Sequence, residues 1–439
     1  VNNSSVTFNS ANKATNNSSQ TYGTGHNALA VTDGGSVLIS TKELNLGTNE
    51  NGGGDRGIRM VGSGNTLNLI ADKVVSYTGD EFIHVREGDG SSVANIGTVN
   101  QRISSFYAKT GWGKDDYGVA LFQANEGNTI NFYAVDATLD GPTGAYGGVF
   151  GSGSNGTINA DVSGTLTIDG NLCGSYGTIT GANHVNDVFM LNVKATKLVM
   201  SGDINAGMDE TRYSTGVRTT LINLSSEDAS ITGDINAQRD GHVGLAGNIQ
   251  ASEINLAKNS EVLIGARLIA KDSAEAVGGT SVTVDKISIA DTGSLIVKAG
   301  SLSANSISFT SGSLQVENGV VSVGSSLASA QSAMSKMSGL DATSILYIGK
   351  SIELGNGQIV VGSDSPSTQI ATYDARTTAS VNISSDGALI VDQAAVGDNA
   401  VFTDASVTFN GGQLGIANAT PNSTLTLSEA VEGTPDSVV

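Results

Sequence analysis

Histidine is the residue type that metal binding and general acid–base catalysis use most often, and the chain has only four. They are His26, His84, His184 and His242. No His-x-x-x-His pair and no His-Glu-x-x-His motif occurs among them, so the ligand spacing of the common zinc enzymes is missing. The single cysteine, Cys173, excludes a cysteine-based zinc cluster and a disulfide framework. We therefore expect no metal site and no cofactor.

Two glycine-rich segments faintly resemble catalytic or ion-binding motifs. Residues 151–155 read Gly-Ser-Gly-Ser-Asn, a loose form of the nucleophile elbow that lacks the strand-to-helix context this motif requires. Residues 52–55 read Gly-Gly-Gly-Asp, which is similar to part of a calcium-binding nonapeptide but does not recur at the spacing of such repeats. Neither segment supports a catalytic or calcium-binding role.

Two aspartates at equivalent positions of a repeat give the strongest hydrolytic hypothesis. The motif Gly-Asp-Ile-Asn-Ala occurs at 202–206 and again at 233–237, which places Asp203 and Asp234 one period apart. Glycoside hydrolases need two carboxylates about 5 to 10 Å apart, and neighbouring turns of a repeat protein would provide them. The alternative, which we favour, is a structural Gly-Asp corner in which each aspartate caps local backbone amides.

Aromatic and charged residues are concentrated in six insert segments that interrupt the repeat. Each follows a Gly-Asp type of corner and precedes a strand that resumes the repeat. The insert segments are Gly47–Arg56, Lys109–Tyr117, Asp140–Gly147, Gly170–Asp187, Ala206–Thr215 and Ala237–Val243. Because equivalent positions of a stacked repeat lie on one side, we expect the insert segments to form a single face.

Tyrosine, tryptophan and arginine are the usual anchors of recognition surfaces, and aromatic rings also stack on sugars. The insert segments therefore predict a ligand-binding face. The residues predicted to bind are Trp112, Tyr117, Tyr146, Tyr176, Arg212, Tyr213 and Arg239. The alternative is that the insert segments are spacers whose tyrosines pack on their own stems.

Short strands must position these segments. Apolar residues alternate with polar ones over four to six positions, as in 65–69 and 380–383, and glycine or asparagine follows such runs. Repeats of 19 to 31 residues without intervening helices predict a parallel β-solenoid, with an array of β-sandwiches or barrels as the structural alternative. Asparagines at matching positions suggest either a coil-to-coil amide ladder or simply corner geometry. They are Asn68, Asn131, Asn159, Asn192 and Asn223.

The repeat length divides the chain into two predicted regions. Residues 1–280 have long repeats with insert segments, and residues 281–439 have shorter coils of about 20 residues. One short amphipathic helix is predicted at 326–340, capped by Ser326, and it interrupts the second region. Its apolar positions are Leu327, Ala330, Met334 and Met337.

Composition narrows the choice of partner. The 439 residues carry a formal net charge of -20, and the hydrophobic fraction of 38% suffices for a core. Such a charge repels phosphate groups, so we expect no nucleic-acid partner. No run of about 18 apolar residues occurs, so we expect no membrane span.

The Gly/Asn/Ser/Thr-rich coils and the 20-residue repeats of Gly293–Val316 and Gly387–Val391 resemble the passenger domain of bacterial type V secretion (autotransporter) proteins. This resemblance implies a right-handed parallel β-helix displayed at the bacterial cell surface, with an outer-membrane barrel outside the present sequence. It also implies a non-catalytic adhesin that binds a host surface protein or glycan, or another copy of itself. The alternative function is that of a carbohydrate-active β-helix, such as a polysaccharide lyase, a glycosidase or a tailspike-like protein.

Overall fold

A computed structural model gives the fold of most of the chain. It describes residues 5–8, 27–47, 56–79, 81–110, 120–141, 147–152, 154–173, 187–207, 219–362, 379–421 and 424–438. These residues form two compact units, a first unit of Val1–Gly233 and a second unit of Asp234–Val439. Strands dominate both units, which confirms the predicted all-β class.

The described residues of the first unit form strands and no helix. The strands are β1 (Ser5–Phe8), β2 (Asn27–Thr32), β3 (Ser36–Leu46), β4 (Arg56–Val61), β5 (Thr66–Thr78), β6 (Ile83–Arg86), β7 (Val93–Ile96), β8 (Ile103–Thr110), β9 (Ala120–Ala124), β10 (Asn128–Asp140), β11 (Gly148–Gly151), β12 (Gly156–Asp169), β13 (Leu172–Cys173), β14 (Val188–Met200), β15 (Ile204–Ala206) and β16 (Thr219–Ile231).

The second unit combines strands with two short helices in its described residues. The elements are β17 (Ile235–Ala237), β18 (Gly241–Leu256), β19 (Glu261–Ile264), β20 (Ala266–Ala270), β21 (Ser273–Ala276), β22 (Ser281–Ile289), β23 (Ser294–Val297), β24 (Ser301–Phe309), β25 (Ser313–Val316), β26 (Gly319–Val323), α1 (Leu327–Met334), β27 (Ser344–Ile348), β28 (Ile352–Glu353), β29 (Gln358–Val361), β30 (Ala379–Ser384), β31 (Gly387–Asp392), α2 (Gln393–Val396), β32 (Phe402–Thr403), β33 (Ala405–Asn410), β34 (Gln413–Ala417), β35 (Ala430–Glu432) and β36 (Asp436–Val438).

Strands in the first unit pair in parallel with the strand one repeat later. Strand β10 lies between β12 on one side and β7 and β8 on the other, and β12 pairs in turn with β14. A smaller parallel sheet has the order β11-β9-β6-β4-β2. Parallel pairing at a fixed offset brings equivalent residues of successive repeats side by side. The register therefore decides which side chains meet on the surface.

The long strands of the first unit change their inward face midway. In β10 the alternation of buried and accessible residues is interrupted at Val135 and Asp136, which are both exposed. The register with β12 shifts at the same place, between Ala134 and Ala137. Because side chains alternate across a strand, two consecutive exposed residues reverse the phase and bend the chain at a corner. Each long strand thus supplies two flat segments.

Phenylalanines fill the centre of the first unit. The ring of Phe122 lies 5.3 Å from Phe82, 5.1 Å from Phe132 and 5.3 Å from Phe150, measured between centroids. Phe106 meets Phe82 edge-on at 5.1 Å. Tilted and edge-on contacts are the arrangements that aromatic rings prefer, and each ring buries a large apolar area.

The second unit is built on shorter repeats. Ile235 pairs with Ile254, 19 residues later, so the short period begins before the predicted boundary at 280. Between Ile249 and Val282 the offset grows to 33 because the antiparallel hairpin of β20 and β21 is inserted there. The sequence pattern did not predict this hairpin.

The predicted helix at 326–340 is present but shorter. It spans Leu327–Met334, and Ser326 caps it by accepting a hydrogen bond from the backbone N–H of Ser329 at 3.2 Å. Ala330 and Ala333 are its buried residues, and Met337 lies beyond its end. The chain after the helix is rich in serine and contains Gly339 at a φ of 85°, which disfavours further helical turns.

A second helix, α2, was not predicted, so the expectation of one helix was wrong. It has four residues and is capped by Asp392 Oδ1, which accepts from the backbone N–H of Ala395 at 3.2 Å. One helical turn is too short to show an apolar period in the sequence.

Candidate ligand-binding surface

Six of the seven residues predicted to bind a ligand lie outside the residues that the structure describes. Those outside the described residues are Trp112, Tyr117, Tyr146, Tyr176, Arg212 and Tyr213. The seventh, Arg239, is described and lies in the second unit. The strands that flank the insert segments are also described, so the positions of their stems can be compared.

The stems of two insert segments, Lys109–Tyr117 and Asp140–Gly147, are neighbours in the first unit. Lys109 pairs with Asp140, so the strand ends that precede these two segments lie side by side. On the return side, Gly148 of β11 pairs with Ala120 of β9. The two positions where the chain leaves the sheet are therefore adjacent, and so are the two positions where it resumes.

After Asp169, by contrast, the chain continues into β13, which pairs with β15, and the backbone N–H of Val149 in β11 donates to the carbonyl oxygen of Asn171. The undescribed part of Gly170–Asp187 therefore begins after β13, at a different place in the turn, contrary to the expectation of one position for all insert segments.

Outward-facing residues next to the two adjacent stems form what we call the tyrosine–carboxylate surface. They occupy two adjacent columns that cross β5, β8, β10 and β12 and end at β14 and the residue after it. Val75 and Val199, which also face outward, complete the column that contains Tyr107. The members are Tyr77, Tyr107, Lys109, Thr138, Asp140, Thr167, Asp169 and Ser201. Their ring centroids place Tyr77 and Tyr107 5.4 Å apart, at an interplanar angle of 53°.

The charged members of this surface are held by hydrogen bonds. Lys109 Nζ donates to Asp140 Oδ2, and this bond raises the pKa of Lys109 above its ordinary value. Ser201 Oγ donates to Asp169 Oδ1 at 2.8 Å. Partial burial raises the pKa of Tyr107, with smaller effects of Tyr77 and Asp140 in the same direction. At neutral pH the ammonium is therefore charged and the phenol of Tyr107 is a hydrogen-bond donor.

An arginine spans neighbouring strands on another part of the outer face of the first unit. Arg102 Nη2 donates to Asp161 Oδ2 at 2.9 Å, and its Nη1 donates to the backbone oxygen of Asp161 at 2.6 Å. The guanidinium also lies 5.7 Å from the ring centroid of Tyr133. Several charge-assisted bonds fix this side chain, so it ties the start of β8 to β10 and β12 rather than reaching toward solvent.

Of the two interpretations of the matching asparagines, the amide ladder between successive turns is confirmed. Each amide Nδ2 donates to the Oδ1 of the preceding asparagine at 2.8 to 2.9 Å. The six members are Asn68, Asn95, Asn131, Asn159, Asn192 and Asn223. Sequence spacing missed Asn95, because the turns on its two sides are 27 and 36 residues long.

A buried polar row on the smaller sheet of the first unit was not predicted. Arg59, His84 and Gln123 are adjacent in the register of β4, β6 and β9, and all three are buried. His84 Nδ1 lies 3.2 Å from Glu81 Oε1, and its Nε2 lies 3.2 Å from Asn125 Nδ2. The sequence of β4 contained a signal for this row. Arg59 lies between Ile58 and Met60, which point inward, so alternation places Arg59 on the other side of the strand.

Arg239 belongs to a second charged cluster, in the second unit. Its Nε lies 3.4 Å from Asp240 Oδ2, and Lys271 Nζ of the hairpin lies 4.0 Å from Asp240 Oδ1. Beside them, His242 Nδ1 lies 3.4 Å from Glu261 Oε2. Asp240 is almost fully buried and its φ is 56°, a conformation that aspartate tolerates better than most residues. Arg239 thus meets an internal partner.

At the first Gly-Asp corner, the backbone of Asp203 is capped by a side chain of the preceding turn. The backbone N–H of Asp203 donates to Asn171 Oδ1 at 2.9 Å. A Cβ built on Gly202 would lie 2.5 Å from Asn171 Oδ1, and one on Gly233 would lie 2.5 Å from Asp203 Oδ1. Only glycine allows such a close approach, which explains why Gly precedes the polar residue in this motif. Asp234 begins the second unit.

Within the residues that the structure describes, no group of three or more His, Cys, Asp or Glu side chains is arranged to hold a metal ion. The same part of the chain contains no helix that is both long and apolar enough to cross a membrane. No known protein family, no curated protein and no solved structure matches this chain.

Proposed function

We propose that this chain is a non-catalytic binding protein of the bacterial cell surface, an adhesin in the manner of an autotransporter passenger domain. In this proposal the protein is a right-handed parallel β-helix whose insert segments contact a host surface protein or a glycan. An outer-membrane barrel outside the present sequence would anchor it. Self-association is a second binding mode of the same surface.

One observation carries the proposal: the stems of two insert segments lie side by side at Lys109 and Asp140, and the strands that follow them, β9 and β11, are paired as well. Adjacent stems would bring the segments that contain Trp112, Tyr117 and Tyr146 next to each other, which supports a shared recognition face. The tyrosine–carboxylate surface lies at the base of the same segments and adds a second set of contact groups.

The β-helix part of the proposal is supported by the strand pairing. Parallel partners follow one another at offsets of one repeat, and a phase change divides each long strand of the first unit into two flat segments. In the first unit, β4, β6, β9 and β11 of the smaller sheet supply a third strand to their turns. Stacking of this kind buries an aliphatic and aromatic core within each unit without disulfides.

Surface display provides the direct test. The chain would be displayed on a non-adherent bacterium, and adhesion to host cells and cell–cell aggregation would be measured. We expect adhesion or aggregation at least tenfold above that of the empty display strain. A Trp112→Ala/Tyr213→Ala variant should lose most of it, whereas the control Lys286→Ala, on an exposed ion pair of the second unit, should retain it.

Two results would contradict the proposal. One is that the displayed chain neither adheres nor aggregates at any ionic strength. The other is that the Trp112→Ala/Tyr213→Ala variant, with an unchanged circular dichroism spectrum, binds like the original. Salt is varied because a net charge of -20 opposes contact between copies at low ionic strength.

A carbohydrate-active enzyme is the second candidate, and one observation favours it. The buried row of Arg59, His84 and Gln123, with Glu81 beside His84, assembles acid–base groups on the smaller sheet. Release of reducing ends from a polysaccharide panel would support this activity. It should then disappear in His84→Gln, and absence of release from every polysaccharide would exclude the hypothesis for that panel.

A further inference from the structure

We infer that the tyrosine–carboxylate surface binds a neutral glycan chain. This inference rests on the proposed function and specifies the ligand class of a described part of the binding face. It concerns Tyr77, Tyr107 and the polar column beside them, rather than the residues of the insert segments.

The two tyrosines supply the apolar contact. Tyr77 and Tyr107 are half-buried on the outward side of β5 and β8, and their rings are tilted toward each other at 53°. Half-exposed rings present an apolar face together with a hydroxyl donor. One face of a pyranose ring carries mainly C–H groups, so it packs against such a ring while its hydroxyls remain at the edge.

The neighbouring columns supply the polar contacts. Thr138 is exposed and Thr167 is partly so, and both follow Tyr107 in the same column. Asp140 and Asp169 follow Lys109 in the next column and present carboxylate oxygens. Sugar hydroxyls both donate and accept, so alternating hydroxyl, carboxylate and phenol groups complement them.

Charge selects a neutral glycan over an acidic one. The surface contains one ammonium, Lys109, which is already engaged by Asp140, and a second carboxylate, Asp169. Its local charge is therefore negative, in a chain whose net charge is -20. A uronate or sialic acid would meet repulsion from the described members of this surface, among which Lys109 is the one cation and is already paired.

The direction of the columns sets the orientation of the ligand. They cross five parallel strands, from β5 to β14, and neighbouring strands are spaced by about 4.8 Å, which gives a length of roughly 19 Å. This length suits an extended oligosaccharide of several units that lies across the strands. A single monosaccharide would occupy only the tyrosine end.

The test uses the purified full chain and isothermal titration calorimetry. The probes are neutral hexasaccharides of β-1,4-linked glucose, N-acetylglucosamine and mannose, together with hexagalacturonate as the acidic probe. We expect binding of at least one neutral probe and weaker binding of the acidic one. Tyr77→Ala/Tyr107→Ala should lower the affinity at least tenfold, while Tyr77→Phe/Tyr107→Phe should retain it within about threefold because stacking persists.

Two further variants keep the test decisive. Thr138→Arg changes an exposed position in the middle of the surface, so it should abolish binding without disturbing the core. Tyr133→Ala, on a different part of the outer face, should bind like the original. Failure of every neutral probe to bind, preference for hexagalacturonate, or undiminished binding by Thr138→Arg would overturn the inference. If displayed cells still adhere in that event, the proposed adhesin function survives and only the glycan assignment fails.

Discussion

The first unit connects six asparagines along its outer face on turns of 27 to 36 residues, whereas the second unit joins Asn236 and Asn255 on a turn of 19. In the second unit the positions that follow Asn255 in register are Ser288 and Ser308, so within its described residues the ladder does not continue. A long turn supplies two sheets and room for insert segments. A short turn supplies little more than the stacked core.

The cores of the two units differ in the same way. Phenylalanines cluster in the first unit, around Phe122, while aliphatic side chains such as Leu295, Leu314 and Ile359 stack in the second. A wider cross-section needs larger side chains to reach the centre, since packing density is uniform in protein interiors. Repeat length, core residue size and outer decoration therefore vary together.

The largest expected effect is the loss of stability when a core side chain of each unit is truncated. Phe122→Ala should destabilise the protein by about 4 kcal/mol, because it removes a fully buried ring that contacts four others. Leu314→Ala, equally buried in the second unit, should cost about 3 kcal/mol. Urea denaturation followed by far-UV circular dichroism measures both changes. A cost below 1 kcal/mol for Phe122→Ala would show that the aromatic cluster is not what fills the wide turns.

The second test concerns the pH dependence of the stability that a buried tyrosine, Tyr347, contributes. Burial, with a contribution from the hydrogen bond to Asp392, raises the pKa of Tyr347 above its ordinary value of about 10. Because the folded pKa exceeds the unfolded one, the stability contributed by the protonated phenol is complete below pH of about 10 and declines as the pH rises further. Tyr347→Phe should cost about 1–2 kcal/mol at pH 7 and should show a shallower alkaline decline.

Thermal melts between pH 7 and 11 measure this effect. The control is Tyr133→Phe on the outer face of the first unit, which should change the melting temperature little. An alkaline decline as steep in Tyr347→Phe as in the original chain would contradict the assignment. Asn418 Nδ2 also donates to Asp392 Oδ2, at 2.9 Å, so we expect this carboxylate to keep a partner in Tyr347→Phe, which limits the loss of stability at neutral pH.

Local sequence patterns predicted the strands, the parallel repeat and most of the asparagine ladder. They succeeded because alternation and matching spacing are properties of neighbouring residues along the chain. The helix was predicted too long, since Met334 and Met337 continue an apolar period that the backbone after Met334 does not follow. The hairpin of β20 and β21 was missed because no turn dipeptide of the usual hairpin type marks it.

Contacts between turns were harder to predict because the turn lengths vary. Tyr77 and Tyr107 meet across strands whose separation in sequence no fixed period gives, so neither was named as a binding residue. Arg239, which was named, instead contacts Asp240. A residue's place on a stacked surface depends on the register, and a single insertion shifts every later match.

The asparagine ladder gives the smallest and most specific test of the comparison. Asn159→Ala breaks two ladder bonds, to Asn131 at 2.9 Å and from Asn192 at 2.8 Å, and should cost about 1 kcal/mol because these amides are partly exposed. Asn255→Ala breaks a single bond, of 3.0 Å, and should cost about half as much. Urea denaturation measures both, and equal costs would mean that the longer ladder adds no stability per turn.

The donor-to-acceptor direction of the ladder hydrogen bonds allows a more specific form of this prediction. Asn159→Asp keeps an acceptor for Asn192 but turns a carboxylate oxygen toward the Asn131 oxygen, to which the native amide donates. At pH 7 it should therefore be at least as destabilising as Asn159→Ala. Near pH 3 the protonated acid regains a donor, and most of the loss should be recovered relative to the original chain at the same pH. Destabilisation that is equal at both pH values would show that the donor at this position contributes nothing, and that the asparagines align only because the backbone does.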